Sequence, residues 1–294
     1  MADTLLVAGA SGFIGRRVVE ILLEKQAGPL IATTRTPEKL ADLAKRGVDV
    51  RTASFAEPGT LARAFAGGDR LLILSTNFLD GTNSRLEHQR NAVKAAVAAG
   101  VKHIVYKSTS TNYPTDQPSI PNDHYWTEIA IAASPVDWTF VRDNLFADTI
   151  LWWLPQAVAA GEIVAAAGDG AANYVTREDI AHTLAAALAS GRGKRIYDAT
   201  GPKPVSRSEL AAIASELAGR PVRYVSIDPD ERRQQLAAAG TPPFFVEVNV
   251  TFEVETARDY WNISTPHVKE LTGREPTSVR EFLIANRAAL QNAA

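Results

Sequence analysis

Through the first half of the chain, short and almost uninterrupted apolar runs alternate with amphipathic stretches of helical period. The runs at about 4–9 (TLLVAG), 29–34, 48–53, 70–75 (RLLILS), 102–107 (KHIVYK) and 137–142 (DWTFVR) predict strands. Their lack of polar alternation is that of strands covered on both faces. The stretches between them predict helices at about 13–25, 37–46, 58–66, 84–100 and 123–133. Thr36-Pro37 opens one helix, and Gly47, Gly67-Gly68 and Gly100 close others. Alternation at this spacing is the pattern of an α/β fold with a doubly wound parallel sheet.

After residue 142 the chain becomes rich in Trp, Pro and Ala. Helices are predicted near 145–160, 177–190, 206–218, 229–239 and 277–291, and short strands near 195–199 and 222–227. The organisation expected is a Rossmann domain over 1–143, its sheet completed by the strand near 195–199. A smaller C-terminal α/β domain over 144–294 would act as a lid on the carboxyl ends of the main strands, where open α/β sheets bind ligands.

Composition narrows the chemistry. The chain has 31 basic and 33 acidic residues among 294 and no basic stripe, which argues against nucleic acid as a partner. There is no cysteine, so disulfides, thiolate catalysis and zinc–thiolate sites are excluded. The five histidines are scattered without metal-ligand spacing. No stretch approaches the ~20 apolar residues of a membrane span, and the start carries no leader pattern. A soluble, cytoplasmic protein is expected, acting on a small molecule, with a homodimer as the assembly considered.

The sharpest local signal is Gly9-Ala10-Ser11-Gly12-Phe13-Ile14-Gly15, directly after the first predicted strand and at the mouth of a helix. Glycines there allow a sharp turn, close approach of backbone amides to a pyrophosphate, and tight helix–strand packing. Ser11 adds a hydroxyl donor. The end of the second strand selects the dinucleotide, because a carboxylate there grips a ribose 2′-hydroxyl. Here it reads Thr34-Arg35-Thr36-Pro37-Glu38-Lys39. A guanidinium at Arg35 and an ammonium at Lys39 match a 2′-phosphate, so NADP(H) is the expected cofactor. Arg16 is read as an exposed helix residue rather than a phosphate contact.

With Gly9-x-x-Gly12-x-x-Gly15, Thr34-Arg35-x-Pro37-x-Lys39, Ala99-Gly100-Val101-Lys102-His103-Ile104 and Gly168-Asp169-Gly170 in register, the sequence resembles the NmrA-like, atypical short-chain dehydrogenase/reductase family. Within it, the pattern is nearest to the type 2 NAD(P)H:quinone oxidoreductases and the triphenylmethane reductases. The resemblance implies NADPH lying between a Rossmann domain and a small C-terminal domain. It implies that Asp143, Asn144 and Leu145 pass beside the nicotinamide and that Ser75, Thr76 and Asn77 flank the cofactor. Ser54-Phe55 stands where family members often carry an acidic residue, leaving adenine contact to Phe55. Ile129 replaces the lysine of the quinone reductases, and Lys107 stands where relatives usually have a small hydroxyl residue.

Ordinary members of the wider superfamily protonate an alkoxide with a Tyr-x-x-x-Lys dyad, and none of the seven tyrosines here is followed by lysine at that spacing. Without a positioned acid, planar acceptors whose reduced forms are stable are favoured: quinones, iminium ions or delocalised carbocations. The expected activity is hydride transfer from NADPH to such a molecule, resting on proximity and orientation. Lys107 and Tyr113 are the candidates for catalytic roles. Phe78, Tyr113, Tyr125, Phe146 and Trp152 are the candidate substrate contacts, with core packing the competing role for Trp152 and Trp153. His124 reads as a helix-start or capping residue rather than a general acid. The rival reading is a redox sensor that binds NADP(H) without turnover.

Overall fold

The computed structural model describes residues 2–76 and 82–291. They cluster into two compact units. The first holds Met1–Asp143, Arg177–Ala199 and His267–Gly273, so the chain returns to it twice. The second holds Asn144–Thr176, Thr200–Pro266 and Arg274–Ala294.

The first unit is built on a seven-stranded sheet. Its strands are β1 (Leu5–Ala8), β2 (Leu30–Thr34), β3 (Asp49–Thr52), β4 (Arg70–Leu74), β5 (His103–Thr109), β6 (Asp137–Asp143) and the later strand Arg195–Ala199. They run in the order β3-β2-β1-β4-β5-β6 followed by Arg195–Ala199, every pairing parallel. This is the doubly wound sheet that the apolar runs predict. The order reverses direction between β1 and β4, and at such a switch point the loops leaving the two strands diverge and open a crevice.

Both faces are covered. Against one lie α3 (Pro58–Phe65), α4 (Ser84–Ala98) and α5 (Ile120–Ala132), burying Leu6, Ile31, Leu71, Ile73, Ile104, Tyr106 and Phe140 with Phe65, Val93 and Ile131. On the other, α1 (Phe13–Glu24) packs along the helix Arg177–Ser190, and Arg17 donates to both oxygens of Glu178 at 2.9 and 3.1 Å. That second helix ends on the buried Arg70, whose Nε donates to the Leu188 carbonyl at 2.5 Å and whose Nη2 donates to those of Ala187 and Gly191. A cation against the C-terminal carbonyls of a helix is favourable, and it locks the helix onto β4. The expected helix at 37–46 is a 3₁₀ turn, Pro37–Leu40, running into α2 (Ala41–Lys45).

The second unit has its own core, including Ile150, Leu154, Val158, Ile163, Leu210, Ala214, Trp261, Val279 and Leu283. Strand Glu162–Ala165 pairs in parallel with Arg223–Ser226, and Ala171–Ala172 pairs antiparallel with Val205–Ser206. The helix expected at 145–160 is split into a 3₁₀ stretch, Ala147–Trp152, and a helix, Leu154–Ala160, because Pro155 starts a helix but cannot continue one. The one expected at 277–291 breaks at Asn286 into Val279–Ala285 and Arg287–Gln291. Helix Pro243–Ala257 is absent from the sequence reading: Val246, Val248, Val250, Phe252 and Val254 alternate with polar residues, the period of a strand. Burial follows the helix instead, at Val246, Val250 and Glu253. Glu253 accepts from the Ala166 amide at 2.7 Å and pairs with Arg232, so tertiary contacts override β-propensity. No described helix is long and apolar enough to cross a membrane.

Candidate cofactor site

β1 delivers the chain to Gly9, whose φ of +88° is the left-handed conformation that glycine alone adopts freely. The amides of Gly9 and Ala10 both donate to the Thr33 carbonyl at 3.0 Å, tying the turn to β2. Gly12 is the extended N-cap of α1 and has no side chain to cap it, and the first turn carries no acidic residue. The leading amides of the helix are therefore left for an external anion. Gly15 sits against the turn: a Cβ there would lie 2.4 Å from the Gly9 carbonyl oxygen, 2.9 Å from the Ala10 Cα and 2.8 Å from Leu74. Only glycine lets α1 approach so closely. Ile14 is half-buried, whereas Phe13 is 59% exposed.

The Thr34 hydroxyl, at the end of β2, donates to Ser11 Oγ at 2.6 Å and accepts from the Thr36 amide at 3.1 Å. Ser11 thus accepts from within the protein and keeps its own proton for another acceptor. Sequence reasoning missed Thr34 and Thr36 in this role; a run of hydroxyl residues at the end of β2 was the available signal. Arg35 and Lys39 are exposed just beyond, and among the described residues neither side chain has an ion-pair partner. Arg16, by contrast, pairs with Glu20 and Asp42 and donates to the Lys39 carbonyl at 3.0 Å. Its charge is balanced and it braces α1 against α2, as expected of a helix residue. An uncapped helix end, a glycine whose Cβ would fill the turn and two unmatched cations beyond β2 fit a phosphorylated dinucleotide. Phe55, beyond β3, packs on the core, with its carbonyl accepting from Asn91 of α4 at 3.1 Å.

Farther along the same edge, Ser75 and Thr76 leave β4 half-buried. The Thr76 carbonyl accepts from Arg85 Nε at 2.8 Å. Asn77 and Phe78 lie outside the described residues. At the ends of β5 and β6, Lys107 Nζ stands 2.7 Å from Asp143 Oδ1. Burial pushes the Asp143 carboxyl above its usual range, and the neighbouring ammonium opposes that push. Tyr113 is half-buried in the loop between β5 and α5. That loop is pinned by Asn112 Nδ2, which donates to Glu128 at 2.7 Å, and by the Thr115 amide, which donates to Asn122 at 3.0 Å. Glu128 in turn receives Arg142 bidentately at 2.9 and 2.6 Å. Tyr125 is half-buried on α5, edge-on to Trp126.

His124 departs from the expected capping role. Ser119 caps α5, accepting from the Asn122 amide, and His124 lies inside the helix and buried. Arg85, paired with Asp123 at 3.1 Å, donates from Nη2 to His124 Nε2 at 2.9 Å. Arginine can only donate, so Nε2 accepts and the ring proton sits on Nδ1, 2.9 Å from the Tyr106 hydroxyl. Tyr106 then donates to Gln89 at 2.6 Å. Burial, with Arg85 adding to it, holds the His124 pKa well below 6.5, so the ring is neutral. This chain ties α4 and α5 to β5, and through Arg85 to the exit of β4.

The first unit thus assembles the glycine turn, Ser11, Arg35, Lys39, Ser75, Thr76, Lys107, Tyr113 and Asp143 along the carboxyl edge of one sheet. Asn144, Leu145, Phe146 and Trp152 belong to the second unit. There Asn144 is buried, donating to the Trp261 carbonyl at 3.0 Å and accepting from the Leu145 amide at 2.8 Å. Leu145 packs on that unit's core and Phe146 bridges to Val175. Trp152 is 66% exposed, while Trp153 is half-buried under the Arg207 guanidinium. Among the described residues no cluster of side chains is suited to a metal ion.

A family described as NAD(P)H-binding matches residues 9–191, from the first glycine of the turn to the end of the helix packed on α1. The chain belongs to this family. It is 30% identical to the NAD(P)H azoreductase of Xenophilus azovorans over 97% of its own length and 98% of that protein's. A solved structure of the Citrobacter triphenylmethane reductase complexed with NADP(H) matches with a TM-score of 0.86 at 30% identity, covering 99% of this chain and 100% of that one. The NADPH-dependent quinone oxidoreductase of Escherichia coli, complexed with NADPH, matches with a TM-score of 0.88 at 26% identity, covering 96% and 99%. The resemblance to NmrA-like reductases and the Rossmann-like fold expected from the sequence are borne out.

Proposed function

We propose that this protein is a cytoplasmic NADPH-dependent reductase that delivers hydride to a quinone-like or other conjugated, electron-poor small molecule. The observation that carries the reading is the uncapped N-terminus of α1 beside a β2 that ends in Thr34-Arg35, with no carboxylate in the NAD-selecting place. When bound, NADPH supplies the hydride. The chain's own groups hold and orient it. The leading amides of α1, those of Phe13, Ile14 and Gly15, and the Ser11 hydroxyl take the pyrophosphate, Arg35 and Lys39 the 2′-phosphate, and Phe55 the adenine. Ser75, Thr76 and Asp143 border the path toward the reacting end, where Lys107 and Tyr113 are the groups able to meet developing charge or supply a proton. The acceptor class is supported by the missing Tyr-x-x-x-Lys dyad and by relatives named for azo, quinone and triphenylmethane reduction. Those names tell against a sensor without turnover. A homodimer is the assembly we favour, supported by Trp126 and Ile129 exposed on α5.

The test is loss of reduced-nicotinamide absorbance with a panel of quinones, dyes and simple ketones, using NADPH and NADH in parallel. Arg35→Ala is expected to raise the Kd for NADPH by roughly 10- to 100-fold, the worth of charge-assisted hydrogen bonds, and to leave that for NADH unchanged. An unaltered preference between the two cofactors would remove the assignment of Arg35.

A further inference from the structure

We propose that the Lys107–Asp143 pair makes this site selective for acceptors that gain negative charge on reduction, such as quinones and conjugated carbonyls, over acceptors that are already cations. The inference rests on the reductase reading and narrows its substrate class.

Placement comes first. Tyr106 sends its hydroxyl toward Gln89 and His124 on the α4–α5 face of the sheet, so strand alternation sends Lys107 to the opposite face. In register, Lys107 lies opposite Leu74 of β4 and Val141 of β6, and Asp143, two residues past Val141, shares its face. Leu74 is the residue against which Gly9 and Gly15 pack. Lys107 therefore stands two strand spacings, about 10 Å, from the glycine turn along the carboxyl edge. Arg35 lies on the other side of β1, so the adenosine half of a dinucleotide runs toward β2 and its reactive half toward β4 and β5.

Orientation of the charge comes second. The two side chains are unequally covered, Lys107 at 13% exposure and Asp143 at 6%. Of the two, the lysine side chain is the more open to a bound molecule, and the carboxylate 2.7 Å from its Nζ holds the ammonium in place. A preorganised dipole in a site sheltered from water acts most strongly on charge that appears during reaction.

The chemistry then separates two kinds of acceptor. A quinone takes up a hydride, one hydrogen with its electron pair, from the reduced nicotinamide. One new bond to hydrogen forms, the cofactor is oxidised by two electrons, and one negative charge remains on the quinone oxygen, facing the ammonium. A proton from solvent completes the hydroquinone. A cationic triarylmethane dye taking up the same hydride becomes neutral and needs no proton. The ammonium opposes its binding and has no anion to stabilise.

Lys107→Met alone strands a buried carboxylate, so the informative variant is Lys107→Met combined with Asp143→Asn, which removes both charges of the pair. Lys107→Arg serves as the charge-preserving control. With NADP⁺ bound, a planar phenolate and a planar triarylmethane cation of similar size are titrated in by tryptophan quenching, a readout independent of turnover. The phenolate should bind the double variant about tenfold more weakly than wild type, with Lys107→Arg in between and the cation bound no less tightly. Quinone kcat/KM should fall on the order of 100-fold, as for loss of one oxyanion donor. Equal changes for phenolate and cation, or no change for either, would overturn the proposal and leave a structural ion pair. Failure of the reductase reading looks different, because wild-type protein would then oxidise NADPH with no acceptor in the panel.

Discussion

Alanine at Gly15 and alanine at Gly12 put the same methyl group into the same turn, three residues apart, with different consequences. At Gly15 the new Cβ would sit 2.4 Å from the Gly9 carbonyl oxygen and 2.9 Å from the Ala10 Cα, both backbone atoms that no rotamer change can move. Reaching ordinary contact at 3.4 Å requires α1 to retreat by about 1 Å, the difference between 3.4 and 2.4. α1 also packs on helix Arg177–Ser190, so that retreat disturbs a second interface. Overpacking of this kind costs about 1–3 kcal/mol, or roughly 2–10 °C in Tm for a chain of this size. At Gly12 the Cβ would meet only the Gly9 oxygen, at 3.6 Å, so stability should stay within about 0.5 kcal/mol of wild type. Gly12 is exposed at the front of the helix, however, where a methyl group shields the amides from a pyrophosphate. Thermal unfolding without cofactor and equilibrium NADPH binding separate the two: Gly15→Ala loses stability and affinity, Gly12→Ala affinity alone. Wild-type NADPH affinity in Gly12→Ala would refute the assignment of this turn to the pyrophosphate.

Breaking the buried Arg85–Asp123 pair with Arg85→Met should cost about 3–5 kcal/mol, because Asp123 keeps a buried charge without its cation. In the cycle with Asp123→Asn the double variant should lose about 2 kcal/mol less than the sum of the singles; additivity in denaturant melts would contradict the pairing. Acid sensitivity follows from the buried imidazoles. Burial, then the charge of Arg70, lowers the His103 pKa to about 4, and His124 lies well below 6.5. Both folded values are below the unfolded one, so the unfolded chain takes up protons first. Stability is then full above pH 6.5 and declines as pH falls toward about 4. Denaturant midpoints near pH 7 and pH 5 should differ, and by less in His103→Gln; identical midpoints in wild type would oppose this account.

The elements that carry the site were legible because their signals are local. The apolar runs of β1, β2 and β4 mark strands covered on both faces, while the edge strand β3 is half-exposed. Gly9, Gly12 and Gly15 mark a turn whose tightest approach, Gly15 on the Gly9 carbonyl, is between near neighbours in the chain. The position of Arg35 just past β2 was readable because the end of that strand is set by its place after β1 and α1. What stayed hidden depends on partners far apart in sequence. Lys107 meets Asp143 only because β5 and β6 pair in one register, and a slip of one residue would send Asp143 to the opposite face. The His124 network needs α4, β5 and α5 stacked together before Arg85 can reach the imidazole. Helix Pro243–Ala257 was masked by its own alternation, and the partners Arg232 and Ala166 that Glu253 meets as a helix lie outside any local window. Period and turn chemistry are properties of neighbours along the chain, whereas charge pairing and the strand-to-helix reversal are decided by neighbours in space.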